Sequence, residues 1–246
     1  MKIYTSIQRG DFHTNHCEDA LVSTKIGENK VLIAVMDGCS MGTESHFAST
    51  LFAKILKKIS QELFYTEFLH SQEETLQNQL KNVMKTFFLE LKNIKNQLSL
   101  ETLELLSTLI LGVYNETTKE AEIITIGDGL IVHNGDITEY EQGDKPDYLA
   151  YHLQEDFTVW YDNFTQKISL KNVQDLSIMT DGIYTFKRLG QHTDYEDTSK
   201  MIDYLAVDKN ATNHEDMLKG KMIFLEKEEL LKLMDDLAII RITNQE

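Results

Sequence analysis

Five acidic positions stand where apolar segments begin or end. Asp37 closes Val35-Met36-Asp37-Gly38, Asp128 sits in Ile126-Gly127-Asp128-Gly129, and Asp181 closes Ile178-Met179-Thr180-Asp181-Gly182. Asp235-Asp236 opens the last apolar segment, and Glu18-Asp19 opens an early one. A carboxylate at the edge of a buried strand is costly unless it is solvated or paired. Oxygen donors set beside turn glycines suit hard divalent cations such as Mg²⁺ and Mn²⁺. Any single Asp-Gly is more often a plain turn. The chemical reading therefore rests on the recurrence, and it requires the five segments to meet in space.

The elements that would carry them follow from hydrophobic periodicity. Ile3 to Gln8 and Ala20 to Ile26 read as strands, and Val31 to Met36 as a strand buried on both faces. Phe47, Leu51, Ile55, Ile59 and Leu63 recur every fourth residue, with Thr43 placed to cap the helix. Leu76, Leu80, Val83, Met84, Phe87, Leu91, Ile94 and Leu98 form a second stripe, so the pair is expected as an antiparallel helical hairpin with core-facing stripes. Strands return at Thr108 to Tyr114, Ala121 to Ile126 and Leu130 to His133, with a hairpin turn at Asn134-Gly135-Asp136. Asp144 to Asp147 reads as loop, Leu176 to Met179 as a strand, Asp194 to Lys232 as mostly helical but irregular, and Leu237 to Ile242 as a closing strand. Blocks of strands separated by blocks of helices point to an α+β layered fold rather than alternating βαβ units.

The composition bounds the function. One proline and no Pro/Gly/Ser-rich linker leave a single domain over residues 1–246 as the expectation. A net charge of −16 argues against nucleic acid and anionic membranes as partners. No apolar run approaches the roughly 20 residues of a membrane span, and the start lacks a signal peptide's charged-then-apolar pattern. Two cysteines, Cys17 and Cys39, make no disulfide framework, so a reducing cytoplasm is the expected compartment. Phosphate-binding glycine loops, dinucleotide fingerprints, zinc motifs and the nucleophile elbow are all missing from the sequence.

Taken in order, the motifs resemble the metal-dependent protein serine/threonine phosphatases of type 2C. The likeness runs through Glu18-Asp19, Met36-Asp37-Gly38, Ala48-Ser49, Ser107-Thr108, Gly127-Asp128, Thr180-Asp181-Gly182 and Asp235-Asp236-Leu237, about Gly10 to Ile242. It implies a four-layer α-β-β-α sandwich, two antiparallel sheets flanked by helices, with metals at one end. It implies two divalent cations, Mn²⁺ or Mg²⁺, and a third, weaker ion at Asp128. Asp37 would touch both ions, the Gly38 carbonyl one of them, and Asp181 and Asp235 the other. Glu18 and Asp19 would act mainly through water. The implied reaction is in-line attack on phosphorus by a metal-activated water, on phosphoserine or phosphothreonine of a phosphoprotein, with a cognate Ser/Thr kinase as a further partner.

The chain departs from the family at one functional place. The arginine that many members carry four residues before the Glu is Thr14 here, which leaves His13, Thr14, His16 or Arg9 for the substrate phosphate. The residue after Asp235, often Asn, is Asp236. Two other readings therefore stay open beside the phosphatase: a weak or inactive relative that binds a phosphoprotein or partner kinase, and a hydrolase of another phosphate ester. Cys17 and Cys39 flank the motifs and read as small buried residues or as oxidation sensors, and Trp160 reads as core.

Overall fold

The computed structural model describes residues 1–42, 44–69, 74–142, 146–190 and 195–244. The chain runs through β1 (Lys2–Gln8), β2 (Ala20–Lys25), β3 (Lys30–Met36), α1 (Ser45–Leu69), α2 (Leu76–Leu98), a 3-10 turn, β4 (Leu109–Asn115), β5 (Glu120–Ile126), β6 (Gly129–His133) and β7 (Asp136–Tyr140). It continues through α3 (Leu149–His152), α4 (Phe157–Asn163), β8 (Lys167–Leu170), β9 (Asp175–Met179), a second 3-10 turn, β10 (Phe186–Arg188), α5 (Thr198–Ile202), a π-helical turn (Asp203–Val207), α6 (Met217–Lys227), β11 (Leu231–Leu233) and β12 (Leu237–Thr243).

Two five-stranded sheets form the middle, in the orders β1-β12-β9-β6-β7 and β2-β3-β4-β5-β8. Every neighbouring pair within them is antiparallel. Strand alternation explains how they stack. Val31, Ile33 and Val35 of β3 pack against Ile131, Ile178, Ala238, Ile240 and Ile242 of the other sheet. The intervening Leu32, Ala34 and Met36 face α1 and α2. Leu237 and Ile239 point the other way, against Met201, Leu205, Leu218, Met222 and Leu225. The result is the α-β-β-α sandwich, in which β3 is buried on both faces as its continuous apolar run implies.

The helical hairpin packs as its stripes require, Phe52 meeting Phe87 edge to face. Thr43 lies outside the described residues. Thr75 caps α2, its Oγ1 accepting from the Asn78 amide at 3.2 Å. Thr75→Ala is expected to cost about 1 kcal/mol and to lower Tm by about 2–4 °C. Thermal denaturation checks this, and an unchanged Tm would mean that the cap contributes nothing. Asn134 and Gly135 have φ of 52° and 93°, as a tight turn between β6 and β7 needs.

The segment before the closing strand is mostly helical and irregular, as its sequence reads, with a strand pair added. Its α5, π turn and α6 are flanked by β10 and β11, which pair with each other from some forty residues apart. Three-residue strands carry too little periodicity to read, and their pairing is non-local. β7, whose sequence DITEY is largely solvent-facing, and the short β8, α3 and α4 were equally silent. Trp160 is core, 5% exposed among Phe88, Phe157 and Phe164.

One ion-pair network ties the second helical layer to its sheet. Arg241 of β12 is fully buried and grips Asp175 through Nε and Nη2 at 2.9 and 2.6 Å. Its Nη1 and Nη2 also donate to the carbonyls of Leu205, Val207 and Asp208. A π turn leaves its last carbonyls without helical partners, and the guanidinium supplies donors to them.

Candidate metal-binding site

Three glycine-flanked turns and two loops converge at one end of the sandwich. Asp37 follows β3 and is fastened to the start of β4. Its amide donates to Thr108 Oγ1 at 3.2 Å, and its carbonyl accepts from the Thr108 amide at 2.9 Å. Gly38 then bridges to Ser107 and donates to the Glu18 carbonyl at 3.1 Å. A Cβ at Gly38 would collide with the Ser45 carbonyl, so glycine is required by close approach. Asp181 follows β9, and a Cβ at Gly182 would strike the Asp236 carbonyl. Asp235 sits just before β12, its amide held by Thr185 Oγ1 at 3.0 Å.

Glu18 is pinned from several sides. Ser45 Oγ and Ser40 Oγ donate to its carboxylate, and Ser49 Oγ donates to its carbonyl. Asp19 accepts from Thr180 Oγ1 at 2.6 Å, and that same hydroxyl accepts from the Ala238 amide at 2.9 Å. Asp236, whose side chain is fully buried, accepts from the amides of Gly10 (2.7 Å) and Glu18. His13 lies among these carboxylates: Nδ1 is 2.9 Å from Asp236 and 3.6 Å from Asp235, and Nε2 is 3.6 Å from Glu18.

The charge balance is one-sided. Burial pushes the Asp19 carboxyl up to about 8, with Asp236 and Asp181 adding to it against the hydrogen bonds from Thr180 and Asp37. Burial, then Asp128 and Asp235, raise Asp181 to about 7. Asp37 is raised well above the ordinary range by burial, then by Asp19 and Asp181. Burial raises Asp128 as well. Burial opposes charge on His13, but Asp236, Glu18 and Asp235 outweigh it and raise its pKa. One imidazole cannot neutralise this many carboxylates, and Asp19 Oδ1 is buried without a hydrogen-bond partner. Oxygen donors in surplus, an orphaned buried oxygen and carboxyls that resist ionisation fit the binding of a cation. Among the described residues no three His, Cys, Asp or Glu side chains are already drawn together at binding distances.

Comparison with known proteins places this geometry. Residues 9–222 match the family described as protein phosphatase 2C. The chain belongs to that family. It is therefore a protein serine/threonine phosphatase by class, from a family that is generally metal-dependent. The fold agrees with solved structures of the family. A bacterial serine phosphatase superposes with a TM-score of 0.66 at 16% identity, covering 100% of this chain and 99% of that one. The serine/threonine phosphatase Stp1 from Staphylococcus aureus gives 0.64 at 15%, covering 99% and 95%. RsbX in complex with magnesium gives 0.54 at 12%, covering 97% and 92%. A search of curated proteins found no significant match.

Within this type 2C phosphatase the four neighbours considered for the substrate phosphate have different fates. His13 is engaged by carboxylates on both ring nitrogens. Thr14 is exposed, and its carbonyl accepts from Arg9 Nη1 at 2.9 Å, so Arg9 holds the loop. His16 is exposed and stacks on His46, ring centroids 4.2 Å apart. The sequence reading missed His46 and the roles of Asp236 and Tyr148. Tyr148 is 5% exposed near Cys39 and Asp37, and burial raises its pKa. Both cysteines are free and half-buried, and burial raises the Cys17 thiol. The Ser49 and Thr108 hydroxyls explain why a small polar residue stands at those motif positions: one fastens the Glu18 backbone and the other the Asp37 backbone.

Proposed function

We propose that residues 1–246 form one phosphatase domain that hydrolyses phosphoserine and phosphothreonine in proteins with two divalent cations, Mn²⁺ or Mg²⁺. Asp37 would touch both ions, the Gly38 carbonyl one, and Asp181 and Asp235 the other. Glu18 and Asp19 would act through bound water, and Asp128 would serve a third, weaker ion. The observation that supports this best is the electrostatic convergence of Asp19, Asp37, Asp128 and Asp181 from four separate strand ends. When bound, the cations supply an activated water and neutralise charge on the phosphoryl oxygens. The protein's own share is positional: Thr108 holds Asp37, Thr180 holds Asp19, and Ser40, Ser45 and Asp236 hold Glu18. RsbX, of like fold, binds magnesium, which supports the choice of ion. The retained carboxylates favour an active enzyme over a phosphoprotein-binding relative. Among the described residues no helix is long and apolar enough to cross a membrane. With free thiols, a cytoplasmic setting fits, with a phosphoprotein and its kinase as partners.

The test is a Mn²⁺ titration of the metal-free protein with para-nitrophenyl phosphate and a phosphothreonine peptide. Turnover is expected to be absent with chelator and restored by Mn²⁺. Chelator-resistant turnover would overturn the reading.

A further inference from the structure

An acidic site that receives a phosphate monoester needs donors of its own besides cations. The arginine that would serve is absent at Thr14, Arg9 is held by the Thr14 carbonyl, and His13 faces three carboxylates. Two imidazoles remain beside the segments that carry Glu18 and Ser45. His16 and His46 come from different elements, the loop before β2 and the second position of α1, and stack with an interplanar angle of 25°. Together they bracket Glu18: His16 precedes it by two residues, and His46 follows Ser45, whose Oγ donates to the Glu18 carboxylate. His16 is exposed and His46 half-buried. The structure gives neither ring a carboxylate or other polar partner among the described residues, in contrast to His13 and His152.

We infer that the stacked His16–His46 pair is the phosphate-recognising element of this site, donating ring N–H groups to the monoester oxygens in place of the missing arginine. The inference rests on the phosphatase reading and deepens it. The contact does not depend on protonation, because a neutral imidazole still carries one N–H. Stacking holds the two rings together, so a ligand that meets both does so with less ordering cost. The ligand chemistry is a phosphate monoester or free phosphate.

The test follows the ring Cε1–H signals of the full-length, Mg²⁺-loaded protein by NMR, assigned with His16→Phe and His46→Phe. Phenylalanine keeps the stack and removes the donors. A phosphothreonine peptide is expected to shift both rings in a saturable way, while its unphosphorylated counterpart does not. Inorganic phosphate added separately tells whether the phosphate alone suffices. In Mn²⁺ assays each Phe variant is expected to raise KM for the phosphopeptide by about 3–10-fold, the worth of one lost hydrogen bond, with the loss falling on KM rather than kcat. His46→Gln, which keeps an N–H donor, is expected to recover part of it. Unshifted rings, or Phe variants with unaltered KM, would overturn the inference and make the pair a packing contact. Failure of the phosphatase reading itself would look different: wild-type protein without Mn²⁺-dependent turnover, whatever the rings do.

Discussion

Asp37→Asn is expected to lower Mn²⁺-dependent turnover by at least about 10²–10³-fold, the scale of removing one electrostatic stabiliser from a preorganised site, and to leave a folded protein that is more heat-stable without metal. The two effects share a cause. Asp37 is crowded by Asp19 and Asp181 and taken out of water, so its charge is unfavourable until a cation arrives. Asparagine fills nearly the same volume without the charge. A gain of about 1–2 kcal/mol would raise the metal-free Tm by about 2–8 °C, the usual exchange of stability for function at active sites. The same crowding fixes a pH dependence. Asp19 and Asp181 hold protons up to about 8 and 7 in the folded chain, against 3.8 ordinarily. Between those limits the native state binds more protons than the unfolded one, so metal-free stability falls as pH rises. A cation competes with those protons, so Mn²⁺ should raise Tm more at pH 8 than at pH 6. Thermal melts with and without Mn²⁺ across this range check both statements. An Asp37→Asn protein that keeps full activity, or a metal-free Tm that climbs with pH, would remove Asp37 from the site.

How much of this was legible in the sequence depends on the range of the interaction. β3 and β12 were readable because an apolar run or alternation is local, and α1 and α2 because their stripes repeat over six turns. The acidic strand ends were readable as candidates, since each lies beside an apolar run and Asp37, Asp128 and Asp181 each adjoin a glycine. Their meeting was not, because Asp19 finds Thr180 across 161 residues and Asp236 finds Gly10 across 226. Arg241 reads as a polar break in LAIIRIT, and nothing local announces that Asp175 and three carbonyls await it. His46 looked like an ordinary surface residue of a helix, and only the fold sets it against His16. The polar residues that fasten the site were invisible for the same reason: Ser45 and Thr180 have common identities, and their function lies in their partners.

Asp236 carries the second large effect. It stands where relatives often have asparagine, yet its buried carboxylate accepts from the Gly10 and Glu18 amides and lies 2.9 Å from His13 Nδ1. These contacts tie both ends of the loop between β1 and β2, which delivers Glu18 and Asp19. Asp236→Ala would strand two amides and leave His13 with fewer compensating charges. Breaking such a buried, hydrogen-bonded pair costs about 3–5 kcal/mol, a fall in Tm of at least about 6 °C. Loss of a partner that orients ligands typically weakens metal binding about 10–100-fold, so the Mn²⁺ midpoint should rise by that factor. Asp236→Asn should be milder. Its single carbonyl oxygen can still accept from one amide or share both, while its NH₂ group is turned toward His13, whose nearest nitrogen must then accept. A neutral His13 tolerates that, so His13 and Asp236 should couple. In a double-mutant cycle with His13→Asn and Asp236→Asn, the paired change should cost less than the sum of the single ones. If Asp236→Ala lowers Tm but leaves the Mn²⁺ midpoint where it was, Asp236 clamps the fold and does not position Glu18 for the metals.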